Sequence, residues 1–246
     1  MNISQKHSRE GNILARASEH PIMRIATEHG AFLAGGAVRS VFASEKISDF
    51  DIFFPSEKAF SDCIAEIAGE LDSNDDLKYN FTKTDSAWSH FSDKKQHFQL
   101  ICAVFGTPEE ILSKFDFTVC MGVWIPSTSN FILDDLFLKH IAQKRLCYNI
   151  GSDYPICSLW RVIKYTKKGY KLPAIDSIKL ALKIHSLKIT TQAEFKKQLM
   201  GIDTMFLMEL TTALGELNEE ARYDFGEAIT MISKFLEEKE SENINE

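Results

Sequence analysis

No Cys-x-x-Cys pair occurs among Cys63, Cys102, Cys120, Cys147 and Cys157. Their odd number and scatter argue against a thiolate zinc site or a disulfide framework. Reduced thiols in a cytoplasmic protein are the expectation. No uninterrupted apolar run approaches the ~20 residues that span a bilayer, and the polar opening from Met1 to Glu10 lacks the apolar core of a signal peptide. No membrane partner is therefore expected. Internal repeats are absent, as is low-complexity sequence apart from the acidic run from Glu237 to Glu246, which sets aside solenoid and fibrous architectures.

What is present is ordinary globular composition, 246 residues with 44% hydrophobic and 26% charged, enough for one large domain or two unequal ones. The net charge of -7 hides an asymmetry. Between 141 and 200 stand Lys144, Arg145, Arg161, Lys164, Lys167, Lys168, Lys171, Lys179, Lys183, Lys188, Lys196 and Lys197, against Asp153, Asp176 and Glu194. The segment reads either as a solvated face or as a docking face for a polyanion such as RNA, and Tyr165 and Tyr170 among the lysines favour the second. Beyond residue 200 the sign reverses.

The pattern along the chain is mixed at first and helical later. Helical composition to Glu19 is broken at His20-Pro21, and a short amphipathic helix through Ile22, Ile25 and Ala26 ends at Gly30. Ala31 to Ala34 reads as a buried strand leading into Gly35-Gly36 and a helix over 37–43. Phe50 to Phe54 reads as a strand, followed by a helix to about Leu71, a polar turn from Asp72 to Asp76, and strands near 78–82 and 97–105. Thr107-Pro108-Glu109-Glu110 has the chemistry of a helix start. Two further strands are expected over 115–124 and 130–133, then helices near 134–143, 155–168, 175–187, 191–214 and 218–239. The expected fold is α+β, a mixed sheet with flanking helices over residues 1–133 followed by an all-helical part over 134–246 with an acidic tail.

Two local patterns carry chemistry. In Asp49-Phe50-Asp51 the period of two turns both carboxylates to one face, while Ile47, Phe50, Ile52, Phe53 and Phe54 have the character of a buried strand. Two acids side by side at such a strand must be neutralised, and a divalent cation, Mg2+ or Mn2+, does so with phosphate oxygens as co-ligands. In Gly35-Gly36 the missing side chains let backbone N–H groups approach a phosphate, with Arg39 in the following turn. The alternatives are a plain strand-helix turn with Arg39 in a surface ion pair, and a solvated strand edge.

Taken together, Gly35-Gly36-Ala37-Val38-Arg39 and Asp49-Phe50-Asp51, at this separation, resemble the polymerase-beta-like nucleotidyltransferases, and within them the head and neck of class II CCA-adding enzymes and bacterial poly(A) polymerases. Phe115 to Met121 is similar to that family's Arg-Asp-Phe-Thr segment, and Arg161 to Tyr165 with Gly169-Tyr170 to a later basic segment, so the resemblance covers about residues 30–173. It implies a nucleotidyltransferase-type fold and transfer of NMP from an NTP to a hydroxyl acceptor, an RNA or tRNA 3′ end. Asp49 and Asp51 would be catalytic metal ligands, with Gly35, Gly36, Arg39, Arg161 and Lys164 holding the nucleotide.

There are departures from the family pattern. Ser40 stands where the family commonly has an aspartate, and the strand from His97 to Phe105, which corresponds to the one bearing the third carboxylate, contains no acid. Gln99 stands near that place. An amide can accept a metal contact but cannot act as a base, so Asp116 or Asp85 substitutes, the base is dispensable, or transfer is lost. The base-selecting Glu-Asp-x-x-Arg motif is absent and the resemblance stops at residue 173, so a full tRNA-gripping body and tail are not expected. A catalytically degenerate nucleotide- or partner-binding protein, and an enzyme that nucleotidylates a protein, are the rival readings. His90, His97, His140 and His185 read as surface or capping groups, and Trp88, Trp124 and Trp160 as packing.

Overall fold

A computed structural model describes residues 2–4, 8–73, 81–84, 86–92 and 96–199, together with residues 226 and 230. In chain order the elements are β1 (Asn2–Ser4), α1 (Arg9–Ala17), α2 (Pro21–Glu28), β2 (Phe32–Ala34), α3 (Gly36–Phe42), β3 (Asp49–Phe54), α4 (Glu57–Ser73), β4 (Phe81–Lys83), β5 (Ala87–Phe91) and β6 (His97–Phe105). They continue with α5 (Pro108–Lys114), a 3-10 turn (Thr118–Cys120), β7 (Gly122–Ile125), β8 (Asn130–Leu133), α6 (Phe137–Ala142), α7 (Pro155–Lys167), α8 (Ala174–His185) and α9 (Gln192–Gln198). The expected helices beyond residue 200, the acidic tail and Asp85 lie outside the described residues. The strands form one mixed sheet in the order β1-β8-β7-β2-β3-β6-β5-β4, in which β3 and β6 are parallel and the other pairs antiparallel.

Alternation along β3 decides which face is core. Phe50, Ile52 and Phe54 enter a cluster with Leu14, Ile22 and Ile25 from α1 and α2, Val38 from α3, and Cys63 and Ile67 from α4. Phe53 faces the other way and packs with Phe32, Ile111, Leu112 and Phe115. This second apolar layer does not include Asp49 or Asp51, which lie on the same face nearer the start of β3. Phe137, Ile141, Tyr165 and Leu180 of α6, α7 and α8 belong to the first cluster, so the later helices share a core with the sheet.

Three elements depart from expectation: Asn2–Ser4, in the opening stretch of helical composition, is a strand because it pairs with β8 at the far edge of the sheet. β5 was not foreseen, and the stretch 115–124 is a strand only from Gly122. Before that, Thr118 N–H donates to Cys147 O at 3.2 Å, Asn149 N–H to Asp116 O at 2.7 Å, and the Asn149 amide to Phe115 O at 2.8 Å. The 147–149 segment thus satisfies backbone groups that a strand would have paired. The start of α5 agrees with expectation, as Glu110 N–H donates to Thr107 Oγ1 at 3.3 Å and Thr107 N–H to Glu110 Oε2 at 2.8 Å, a reciprocal cap. Gly122 is required by close approach, since a Cβ there would stand 2.9 Å from Phe137 and from Val38.

A buried ionic hub ties α3 to the later helices. Arg39 is 3% exposed, and its Nη1 donates to Glu45 Oε2 at 2.7 Å. Lys144 Nζ donates to Glu45 Oε1 at 2.8 Å, and Lys168 Nζ lies 3.3 Å from Glu45 Oε2. Burial raises the Glu45 carboxyl, but hydrogen bonds from Lys144 and Arg39 outweigh it and hold the group down at about 2. Its folded value is below its ordinary 4.5, so its contribution is complete above pH 4.5 and disappears as pH falls towards 2. Scaled at roughly 1.4 kcal/mol per pKa unit and discounted for solvent around the part-exposed Lys144 and Lys168, that contribution is about 1–2 kcal/mol. Glu45→Gln is therefore expected to lose about this much stability at pH 7, and its melting temperature should converge with that of the natural chain as both are acidified to pH 2. Melting curves that stay apart down to pH 2 would remove Glu45 as the source.

Candidate active site

Three neighbouring strands present two rows of side chains on the face turned away from the first cluster. The parallel register sets Asp49 beside His97 and Asp51 beside Gln99, and the antiparallel register sets His97 beside Phe91 and Gln99 beside Ser89. One row is therefore Asp49, His97, Phe91, and the next is Asp51, Gln99, Ser89. The side chains between them point into the core, where Phe50 stacks on Phe98 with ring centroids 5.2 Å apart. Gln99 stands directly alongside Asp51.

The glycine turn meets the same place from the other side. Pairing of Phe32 with Phe53 and Leu33 with Ile52 brings the end of β2 next to Asp51. Gly35 has φ of 79°, a left-handed conformation that favours glycine. A Cβ on it would lie 3.3 Å from the Phe115 ring and 4.0 Å from Asp51 Oδ2, whereas one on Gly36 would meet nothing within 4 Å. Gly35 N–H donates to Gly122 O at 3.0 Å, so that group is used within the fold, while the N–H groups at the start of α3 have no carbonyl partner within the helix.

The two acids differ in surroundings. Ser48 Oγ donates to Asp49 Oδ2 at 2.6 Å, and His97 Nδ1 lies 3.3 Å from Asp49 Oδ1. An ionised carboxylate only accepts, so the proton of this contact sits on Nδ1, and the ring's Nε2 lies 3.4 Å from the Gln99 amide nitrogen. Burial would raise Asp49, but the hydrogen bonds from His97 and Ser48 and the charge of Lys164 outweigh it and hold the carboxyl below its ordinary value. For Asp51, burial first and the charge of Asp49 second push the carboxyl up to about 6, against the pull of Arg161, Lys164 and His97. Among the described residues neither acid forms a contact ion pair with lysine or arginine.

The other expected site residues are distributed unevenly. Lys164 is exposed on α7, and its charge and that of Arg161 act on Asp51. Arg161 Nη1 also donates to Asp116 Oδ2 at 3.1 Å, and Asp116 is 2% exposed, so this acid is neutralised inside the protein instead of joining Asp49 and Asp51. Arg39 likewise turns inward, with its guanidinium 5.1 Å from the Tyr165 ring centroid and bonded to Glu45 and Ser40. Among the described residues no three His, Cys, Asp or Glu side chains converge to hold a metal ion. His97, read from sequence as a surface or capping group, is only 12% exposed and is the partner of Asp49. Its spacing two residues before Gln99, on the strand that pairs with the acids, was the available signal. His140 is buried against Thr118, with Nδ1 2.6 Å from Oγ1.

The basic segment is partly consumed within the fold. Lys144 and Lys168 pair with Glu45, Arg145 and Lys179 with Asp176, and Arg161 with Asp116. Lys164, Lys167 and Lys171 are exposed. Among the described residues no helix is long and apolar enough to cross a membrane.

Comparison with known proteins gives two results. Residues 5–144 match the family described as Gabija anti-defense 2 family protein. A curated relative, "Gabija anti-defense 2" of Bacillus phage SPbetaL7, is 38% identical over 173 residues, 70% of this chain and 42% of the relative. The chain thus spans less than half the length of that relative. Among solved structures, a CCA-adding enzyme in an apo form matches with TM-score 0.57 at 15% identity over 95% of this chain and 54% of its own. A CCA-adding enzyme complexed with ATP matches with TM-score 0.56 at 14% identity over 96% and 54%. The Thermotoga maritima CCA-adding enzyme complexed with tRNA gives 0.52 at 16% over 92% and 54%. At these identities the likeness shows the fold, an α+β nucleotidyltransferase type.

Proposed function

Because the chain belongs to the Gabija anti-defense 2 family, we propose that its anti-defense role runs through a nucleotide site that transfers NMP from an NTP to a hydroxyl acceptor, a nucleic-acid 3′ end. The observation that carries this reading is the placement of Asp49 and Asp51 on one face of β3, with Asp51 Oδ2 4.0 Å from where a Gly35 Cβ would stand. The glycine turn and the paired carboxylates adjoin, and among the described residues neither acid forms an ion pair with lysine or arginine.

The residues suit one divalent cation. Two carboxylates that repel each other, one of them pushed up by burial and by its neighbour, are the donor set that Mg2+ or Mn2+ completes with phosphate oxygens. When bound, such an ion supplies stabilisation of charge developing on the transferred phosphoryl group. Asp49 and Asp51 would hold it, Gly36 and the first turn of α3 would bind phosphate oxygens, and Arg161 and Lys164 of α7 would balance the remaining charge. The acceptor oxygen bonds to the α-phosphorus as the bond to the bridging oxygen breaks. Pyrophosphate leaves with that oxygen, and the hydroxyl proton passes to water. Residues 1–133 carry this chemistry, and the helical part from 134 contributes the exposed lysines Lys164, Lys167 and Lys171 to the acceptor's phosphates.

Gln99 favours a second reading, a nucleotide- or partner-binding protein without turnover, because an amide stands beside Asp51 where a base would act. One experiment separates the two. The protein is incubated with each labelled NTP, Mg2+ or Mn2+, total cellular RNA and total cellular protein. Label in the RNA with matching pyrophosphate is the expected result. Label in the protein fraction would reassign the acceptor, and micromolar NTP binding by calorimetry without any product would establish the second reading in place of the first.

A further inference from the structure

Phe91 is a large aromatic side chain left 59% exposed at the edge of the site. It does not lie loosely on the surface. Its ring stacks on His97 with centroids 4.0 Å apart and planes 5° from parallel, and His97 is in turn held by Asp49. With one ring face covered by His97, the exposed area belongs to the other face and the edge. An aromatic ring laid flat on His97, one strand from the two carboxylates, offers its free face for another ring to stack on.

The sheet order says which ring that is. The glycine turn follows β2, the acids are on β3, His97 and Gln99 on β6, and Phe91 on β5. A triphosphate on the glycine turn lies on the β2 side of the acids. In-line displacement at the α-phosphorus brings the attacking hydroxyl from the side opposite the departing pyrophosphate, which is the β6 and β5 side. We propose that the Phe91 ring, seated on His97, is a shelf on which the terminal nucleobase of a single-stranded acceptor stacks, so that its 3′ hydroxyl is presented to the acids. The shelf is a positioning subsite. It rests on the nucleotidyl-transfer reading for the side from which the acceptor arrives.

The test uses the whole chain with Mg2+ and two probes, NTP by calorimetry and a fluorescein-labelled single-stranded RNA decamer by anisotropy. A second decamer lacks the base of its 3′ residue. Phe91→Ala and Phe91→Leu are expected to weaken decamer binding about 5- to 150-fold, the loss of stacking one base, whereas Phe91→Trp retains it and NTP binding is unchanged in all three. Removing the terminal base should cost the natural chain the same factor and cost Phe91→Ala nothing further, because both changes delete one contact. Full decamer affinity in Phe91→Leu, additive losses with the abasic decamer, or a natural chain that binds NTP but no decamer would each overturn the shelf. Failure to bind NTP would instead sink the nucleotidyl-transfer reading itself. Equal loss of NTP and decamer would assign Phe91 to the nucleotide.

Discussion

Replacing Asp51 with asparagine is expected to lower metal-dependent pyrophosphate release on the order of 10^3-fold, the scale seen when one group aimed at developing charge is removed, while leaving the protein at least as stable. The two effects have one cause. Asp51 is buried beside Asp49, and burial together with that neighbouring charge pushes its carboxyl up, so the ionised side chain is a liability to the empty fold and an asset only when a cation is present. Asparagine keeps the shape and removes the charge. Melting temperatures in EDTA should therefore rise or stay level, and the stabilisation that Mg2+ or Mn2+ gives the natural chain should vanish in the variant. The double change Asp49→Ala with Asp51→Ala should abolish release altogether. An Asp51→Asn protein that turns over at the natural rate would end the assignment of this acid.

The second large effect is a gain. Gln99 stands alongside Asp51 in the parallel register of β3 and β6, and on the proposed reading an acid there would join the other two. Gln99→Glu preserves length and shape and adds an acceptor for the hydroxyl proton. If proton removal limits the rate, transfer should rise on the order of 10^2- to 10^4-fold, the range of general base catalysis. The variant should also melt lower than the natural chain in EDTA, because a third acid joins two that already repel, and recover when the metal is added. Single-turnover measurement of product formation separates this from a change in NTP affinity. A folded Gln99→Glu protein with an unchanged chemical rate would show that the third position takes no proton.

The readings that succeeded from sequence were local. The alternation in Asp49-Phe50-Asp51, the delivery of a short strand into Gly35-Gly36, the bounds of β6 and the Thr107 cap each depend on residues within a few positions of one another, where backbone geometry leaves little choice. The strand β5 was missed because its burial is set by pairing with β6. The segment before Gly122 was misjudged because its hydrogen-bond partners stand some thirty residues later, at Cys147 and Asn149.

Residue spacing by itself determined that two acids share one strand face and that a short strand runs into a glycine turn, since period and turn geometry are properties of adjacent residues; that the two adjoin was implied by the resemblance and is made by the pairing of β2 with β3. Only the tertiary structure decided which charges remain at that face. Arg39, just after the glycine turn, and Asp116, a candidate third acid, are drawn into ion pairs with Glu45 and Arg161, while His97 reaches Asp49 across 48 positions. A charge buried in a core must find a partner wherever the fold places one, and that choice is made by packing among distant elements.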